Sequence, residues 1–304
     1  MTTVIEAPAA TDAETPPVTQ GGLDRAAVYR YGGVLLIAAA VALLCFLAEA
    51  TVVGAFQEGR DQVVEYAELR NELANGIAPV GGYDYLGNPL PSGAPVALLS
   101  IPEIGLSEVV AQGTSSAVLQ GGPGHVRDSP LPGQAGVSEI YGREAMYGGP
   151  FQYIDQLAAG ETFTVTTGQG VATYRVIDVR RAGSPEQETV AGHGYLILAT
   201  ASGAAFMPGD IVWVDAELIS PVQPNPGGAV VPPMSAIEGP LAGDTGAGTD
   251  VFWWSELLVA AVAGVVVLSR RWGVLQTWLV GTPILLYFGL SLADQISRLL
   301  PNLL

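Results

Sequence analysis

Apolar and polar positions divide the chain into long uninterrupted apolar runs near its two ends and short alternating runs between them. Residues 31–48 are eighteen consecutive uncharged positions rich in Leu, Ala and Val, and the run continues to residue 56 with one charge, Glu49. A helix rises about 1.5 Å per residue and needs about twenty apolar residues to cross a bilayer, so a transmembrane helix is predicted over 31–56. No small-residue cleavage site follows it in place, and it is read as a retained anchor rather than a removed signal. Two more runs, 251–269 and 272–294, flank Arg270 and Arg271 and predict a hairpin of two further spans. Trp253, Trp254, Trp272 and Trp278 lie near the ends of these spans, as interfacial aromatics do, and Pro283 predicts a kink in the last.

Between the spans the pattern changes. Residues 57–77 mix Val63, Val64, Tyr66, Leu69 and Leu73 with charges at near-helical spacing, which predicts a stalk helix closed by Asn75-Gly76, within a lead-in reaching residue 92. From 93 to 218, short β-like runs at 96–101, 138–141, 162–166, 171–179, 195–201 and 211–218 alternate with Gly/Pro punctuation. Strict period two in Thr162-Phe163-Thr164-Val165-Thr166, and in Val212, Val214 and Ala216 against Ile211, Trp213 and Asp215, predicts an all-β barrel or sandwich of one domain. Residues 219–250, crowded with Pro and Gly, read as a linker, 1–30 as a disordered cytoplasmic tail and 295–304 as a C-terminal tail.

Charge orients this arrangement. Arg25 and Arg30 precede the first span, and Arg270 and Arg271 join the last two, so the positive-inside rule puts both on the cytoplasmic side and the β-domain outside. Against twelve arginines and no lysine stand 29 acids, a net charge of −17 that disfavours nucleic acid. Cys45 is the only cysteine and His125 and His193 the only histidines, which excludes an intrachain disulfide and a thiolate or His-rich metal site; no cofactor motif occurs.

Within the β-domain the run 95–106 (Pro-Val-Ala-Leu-Leu-Ser-Ile-Pro-Glu-Ile-Gly-Leu), then Gly113-Thr114-Ser115, Gly122-Pro123-Gly124-His125, residues 131–136 (Leu-Pro-Gly-Gln-Ala-Gly) and Tyr147-Gly148-Gly149-Pro150-Phe151 resemble a sortase of the class E type. The resemblance implies a sortase-like closed β-barrel with short helices, here combined with one N-terminal and two C-terminal transmembrane helices. It also implies a cysteine nucleophile, a histidine handling the proton and an arginine stabilising the oxyanion. In this chain Arg143 stands at the family's histidine position, Ala201 at its cysteine, and Asp210 or Ile211 at its arginine. Guanidinium stays protonated and cannot shuttle a proton near neutral pH, and a methyl group is no nucleophile.

The expectation is therefore of no enzyme: a catalytically degenerate sortase on the outer side of a bacterial plasma membrane, serving as a binding, scaffold or accessory subunit of a cell-envelope complex. The alternative is a transpeptidase or peptidase using non-standard residues. Arg143 is the candidate ligand-binding residue, as an anion clamp in the former substrate groove or an arginine satisfied by Glu139 or Glu144. Other integral membrane or cell-envelope proteins are the expected partners, met through Glu49, Glu256 and Gly264, the two glutamates lying at similar depth.

Overall fold

The computed structural model describes residue 36 and residues 40–204, 206–225 and 235–304. The tail expected over 1–30, most of 31–39 at the start of the anchor, and 226–234 of the expected linker lie outside the described residues.

Helix α1 (Ala40–Asn75) is 36 residues long and joins the first span to the stalk without a break. A π-helical turn, Glu49–Val53, marks the change from one to the other. The helix stops where Gly76 takes φ +67° and its N–H reaches back to Glu72 and Leu73, a left-handed cap that glycine adopts without a Cβ penalty. The stalk lies along the barrel, fastened by Gln62, whose amide donates to the Val109 and Gly121 carbonyls (3.1 and 2.9 Å) and accepts from the Val109 N–H (2.7 Å).

The middle of the chain is a closed eight-stranded barrel: β1 (Pro95–Ile101), β2 (Leu106–Gln112), β3 (Gly124–His125), β4 (Gly136–Tyr141), β5 (Thr162–Thr167), β6 (Gly170–Arg180), β7 (Gly194–Ala204) and β8 (Met207–Leu218). The order around the barrel is β1-β2-β3-β4-β7-β8-β6-β5, with β2–β3 and β4–β7 parallel. A short helix, α2 (Ser116–Leu119), fills the crossover between β2 and β3. Closure leaves no open edge, so ladder bonds satisfy the backbone all round. Alternation fills the interior: Leu99, Ile140, Phe163, Val165, Leu198 and Val214 are buried there, and Phe163 stacks on Tyr174 at 5.7 Å. β2 and β3 lie outside the alternating runs. β2 buries four consecutive residues, Val109–Gln112, where α1 packs against it through Gln62, and β3 has only two residues in which to express a period.

Two helices follow, α3 (Ala247–Trp272) and α4 (Val274–Leu299), each 26 residues and joined at Gly273 with φ +95°. With α1 they are the three described helices long and apolar enough to cross a membrane. α4 continues through Pro283 and runs five residues beyond the boundary expected at 294. Gly281 lets the hairpin close: a Cβ there would stand 2.8 Å from Val265 Cγ2. Residues 235–246, in the stretch read as linker, pack against the barrel and α4, with Arg127–Glu238 (2.8 Å) and Arg298–Asp244 (2.9 Å) as ion pairs.

Candidate functional site

The alternation that sends Ile140, Leu198 and Val214 inward sends Glu139 and Tyr141 of β4, Tyr195, Ile197, Ala199 and Ala201 of β7, and Ile211, Trp213 and Asp215 of β8 outward onto one continuous face. The face has an open half and a closed half. The open half is a groove of about 650 Å³ between the barrel wall and the β6–β7 loop, lined by Glu139, Arg180, Tyr195, Ile197, Trp213 and Asp215. Arg180 crosses its floor, its Nη2 2.9 Å from Asp215 Oδ1 and its Nε on the other carboxylate oxygen, with the guanidinium 5.6 Å over the Trp213 ring. This bidentate, stacked pair is rigid and leaves little charge to spare. Burial raises the Glu139 carboxyl above its ordinary value, and Tyr141 donates to it at 3.1 Å.

The closed half contains Ala201. Tyr141, Ala199, Ala201 and Ile211 form a buried apolar cluster with Leu119, Val126 and, from the last residues of the chain, Leu303. The backbone beyond α4 turns back onto the barrel, where the Glu144 N–H donates to the Leu303 carbonyl (2.9 Å) and the Met146 N–H to the Leu304 carbonyl (3.3 Å). Leu303 is 0% and Leu304 2% exposed.

Arg143 sits in the loop after β4, wholly buried behind this face. Its Nε donates to the Leu119 carbonyl (3.2 Å), its Nη2 to the Ser116 carbonyl and hydroxyl (3.2 and 2.8 Å), and its guanidinium lies 5.1 Å from the Tyr147 ring centre. Neither Glu139 nor Glu144 is its partner, and it does not open on the groove, because the crossover helix α2 supplies its acceptors. Burial lowers its pKa to about 10, leaving it charged at neutral pH. Tyr147, held at φ +50°, is the hub behind it. Its hydroxyl meets Asp294 Oδ1 (2.9 Å), Ser297 Oγ (2.7 Å) and Gln120 Nε2 (2.8 Å), and its ring lies so close to α1 that a Cβ on Gly54 would come 2.8 Å from Cδ1. The loop after β4 thus binds two apolar helices, α1 at Gly54 and α4 at Asp294 and Ser297.

His125 is buried on β3 between Gln112 Oε1 (3.0 Å from Nδ1), the Pro130 carbonyl and Ser129 Oγ (each 3.1 Å from Nε2). Burial lowers its pKa to about 4, so it is neutral at pH 7 and a weak base. Asp210 caps the neighbouring loop, accepting from Ala182 and Ile211 N–H (3.1 and 2.8 Å), and Ser202 accepts from Arg181 (2.8 Å) on the barrel rim.

The expected partner-contact residues are not brought together. Glu49 is buried in the π-turn of α1, within electrostatic reach of Asp294 on α4, whereas Glu256 is exposed on α3. Gly264 faces open space, and Gly281 is the small residue against which Val265 packs in the hairpin. Among the described residues no group of three or more His, Cys, Asp and Glu side chains is placed to hold a metal ion. Reasoning from sequence missed Leu303, the part played by Tyr147, and the Arg180–Asp215 pair. The tail has no periodicity to read, but alternation along β8 already set Trp213 and Asp215 on one face.

Residues 99–206 match the family model of the Sortase domain. Among solved structures the chain is similar to a Clostridium perfringens sortase D5 transpeptidase, 20% identical over 53% of this chain and 99% of that one, with a TM-score of 0.44. It is also similar to sortase C-1 from Actinomyces oris, 27% identical over 41% of this chain and 75% of that one, with a TM-score of 0.37. No curated protein matches the chain. One expectation is corrected here. The reading that the chain is not an enzyme is opposed by the match to a family of cysteine transpeptidases, whose matched segment includes positions 143 and 201.

Proposed function

We propose, from the premise that residues 99–206 are a sortase-family domain, that the chain works as a membrane-anchored binding or accessory subunit of a cell-envelope membrane complex, with the barrel on the extracytoplasmic side. The observation that carries the reading is the joining of barrel to membrane helices through Tyr147, Asp294, Ser297 and Gln120. A domain merely tethered to a bilayer has no need of such a joint. α1 meets the barrel loop at Gly54, α4 at Asp294–Ser297, and α3 begins beside Asp244, which pairs with Arg298. These three helix ends therefore lie toward the barrel, while Arg270 and Arg271 occupy the opposite end of the hairpin, which supports a cytoplasmic turn. The hairpin keeps apolar faces uncovered, including Val259, Val262, Leu275 and Leu279, and small residues at Ala260, Ala263 and Gly264 through which another helix can approach. The test is purification of the full chain from its native membrane after mild solubilisation. An integral membrane protein should accompany the wild type and be lost from Gly264→Leu and Glu256→Leu; an unchanged set of companions refutes the reading.

A second reading, transpeptidation through a hydroxyl, is favoured by the family match and by the chain Ser129–His125–Gln112, in which an imidazole lies between a hydroxyl and an orienting amide. Its test is turnover of a sorting-signal peptide by the full chain, lost in Ser129→Ala.

A further inference from the structure

A second cavity, of about 240 Å³, opens where the barrel meets the apolar helices, away from the outward face of β4, β7 and β8. Its walls are Gln57, Arg60 and Asp61 of α1, Ala117 and Gln120 on and just after α2, and Asp294 of α4. Both long helices contribute at the point where their apolar runs stop. Gln57 follows Phe56, and Asp294 is the first charged residue after the uncharged run 272–293. An apolar run ends where the hydrocarbon ends, so a cavity between these residues lies at the level of the lipid headgroups. Seven residues before Asp294, on the same face of α4, Tyr287 is 61% exposed and meets Trp254 edge-on at 5.9 Å, an aromatic surface of the kind that lies against lipid below the headgroups.

The chemistry of the walls selects a ligand. Asp294 accepts from neutral donors only, Tyr147 and Gln120 on Oδ1 and Gln295 on Oδ2, and makes no ion pair among the described residues, so its charge is kept. Gln120 spends its NH₂ group on Tyr147, Asp294 and Ser297, which leaves only its carbonyl oxygen for the cavity. Arg60 pairs with the adjacent Asp61 at 3.2 Å with its side chain 81% exposed, a contact weak enough to be exchanged for a phosphate. The cavity therefore offers carboxylates, an amide carbonyl and one guanidinium. A primary ammonium beside a phosphate matches that set. A trimethylammonium has no N–H to donate, and an anionic headgroup without an amine sets its charge against two carboxylates.

We propose that this cavity binds the headgroup of an aminophospholipid of the phosphatidylethanolamine type, with the ammonium at Asp294 and Gln120 and the phosphate at Arg60. The inference goes beyond the accessory-subunit reading and shares with it only the placement of α1 and α4 across a membrane. Because Asp294 also holds Tyr147, a headgroup bound there fixes the barrel relative to the bilayer surface.

The test is native mass spectrometry of the full chain in detergent with equimolar dioleoyl phosphatidylethanolamine, phosphatidylcholine and phosphatidylglycerol. One phosphatidylethanolamine should be retained at least fivefold over either competitor, and retention should fall stepwise through the N-methyl and N,N-dimethyl headgroups as N–H donors are lost. Arg60→Ala, and Ala117→Trp, which fills the cavity from an exposed position, should each reduce retention severalfold. Asp294→Asn should abolish the preference over phosphatidylcholine. Equal or greater retention of phosphatidylcholine or phosphatidylglycerol, or a preference that survives both Arg60→Ala and Ala117→Trp, overturns the proposal. Companion membrane proteins still held by a chain without the lipid preference would leave the accessory-subunit reading standing, so the two failures are distinguishable.

Discussion

Replacing Arg143 by alanine tests whether the position is a structural tie. The side chain is 0% exposed and makes three hydrogen bonds to Ser116 and Leu119, besides its contact with the Tyr147 ring. Hydrogen bonds from a charged donor contribute about 1.5–3 kcal/mol each, so the three together supply roughly 5–9 kcal/mol. Against this stands the cost of burying the charge. The fall of its pKa from 12.5 to about 10 corresponds to about 3 kcal/mol. The difference favours the arginine by about 2–6 kcal/mol, and truncation also leaves the Leu119 and Ser116 carbonyls without that donor. For a chain of this size about 3 kcal/mol corresponds to a fall in Tm on the order of 6–12 °C. Thermal unfolding of the detergent-solubilised chain, followed by tryptophan fluorescence, measures it. A loss of less than about 2 °C would refute the reasoning, because desolvation would then cancel the bonds and Arg143 would be no tie.

Two further perturbations have opposite controls built in. Glu108 on β2 is pushed up to about 8, first by burial under α1 and second by the charges of Glu58 and Glu65. A folded pKa above the unfolded value gives stability that is complete below about pH 4.5 and lost as pH rises through about 8. Glu108→Gln should therefore raise Tm at pH 9 and change it little at pH 5, and an equal change at both values would show that the carboxyl is not the cause. In the hairpin, Gly281→Leu forces a side chain into Val265 and should loosen α3 from α4, raising proteolysis near residues 270–274 severalfold. Gly264→Leu, which meets open space, should leave the isolated protein unchanged.

What could be read in advance follows from how each element is stabilised. The spans were legible because a bilayer demands an unbroken apolar run, and β5 and β8 because each has one face in the core and one outside it. β2 was not, since α1 packs against it and erases the alternation. The outward face that makes the site was implicit in the period of β8, yet nothing in Ile211, Trp213 and Asp215 tells which stretch of chain comes to cover it. Arg143 illustrates the same limit. Its position in the motif was readable, but its acceptors Ser116 and Leu119 lie 24 to 27 residues away in a four-residue helix with no cap signal, whereas Glu139 and Glu144 are near in sequence. Nearness along the chain misled because the loop after β4 turns its side chains inward, and only the closed topology decides that.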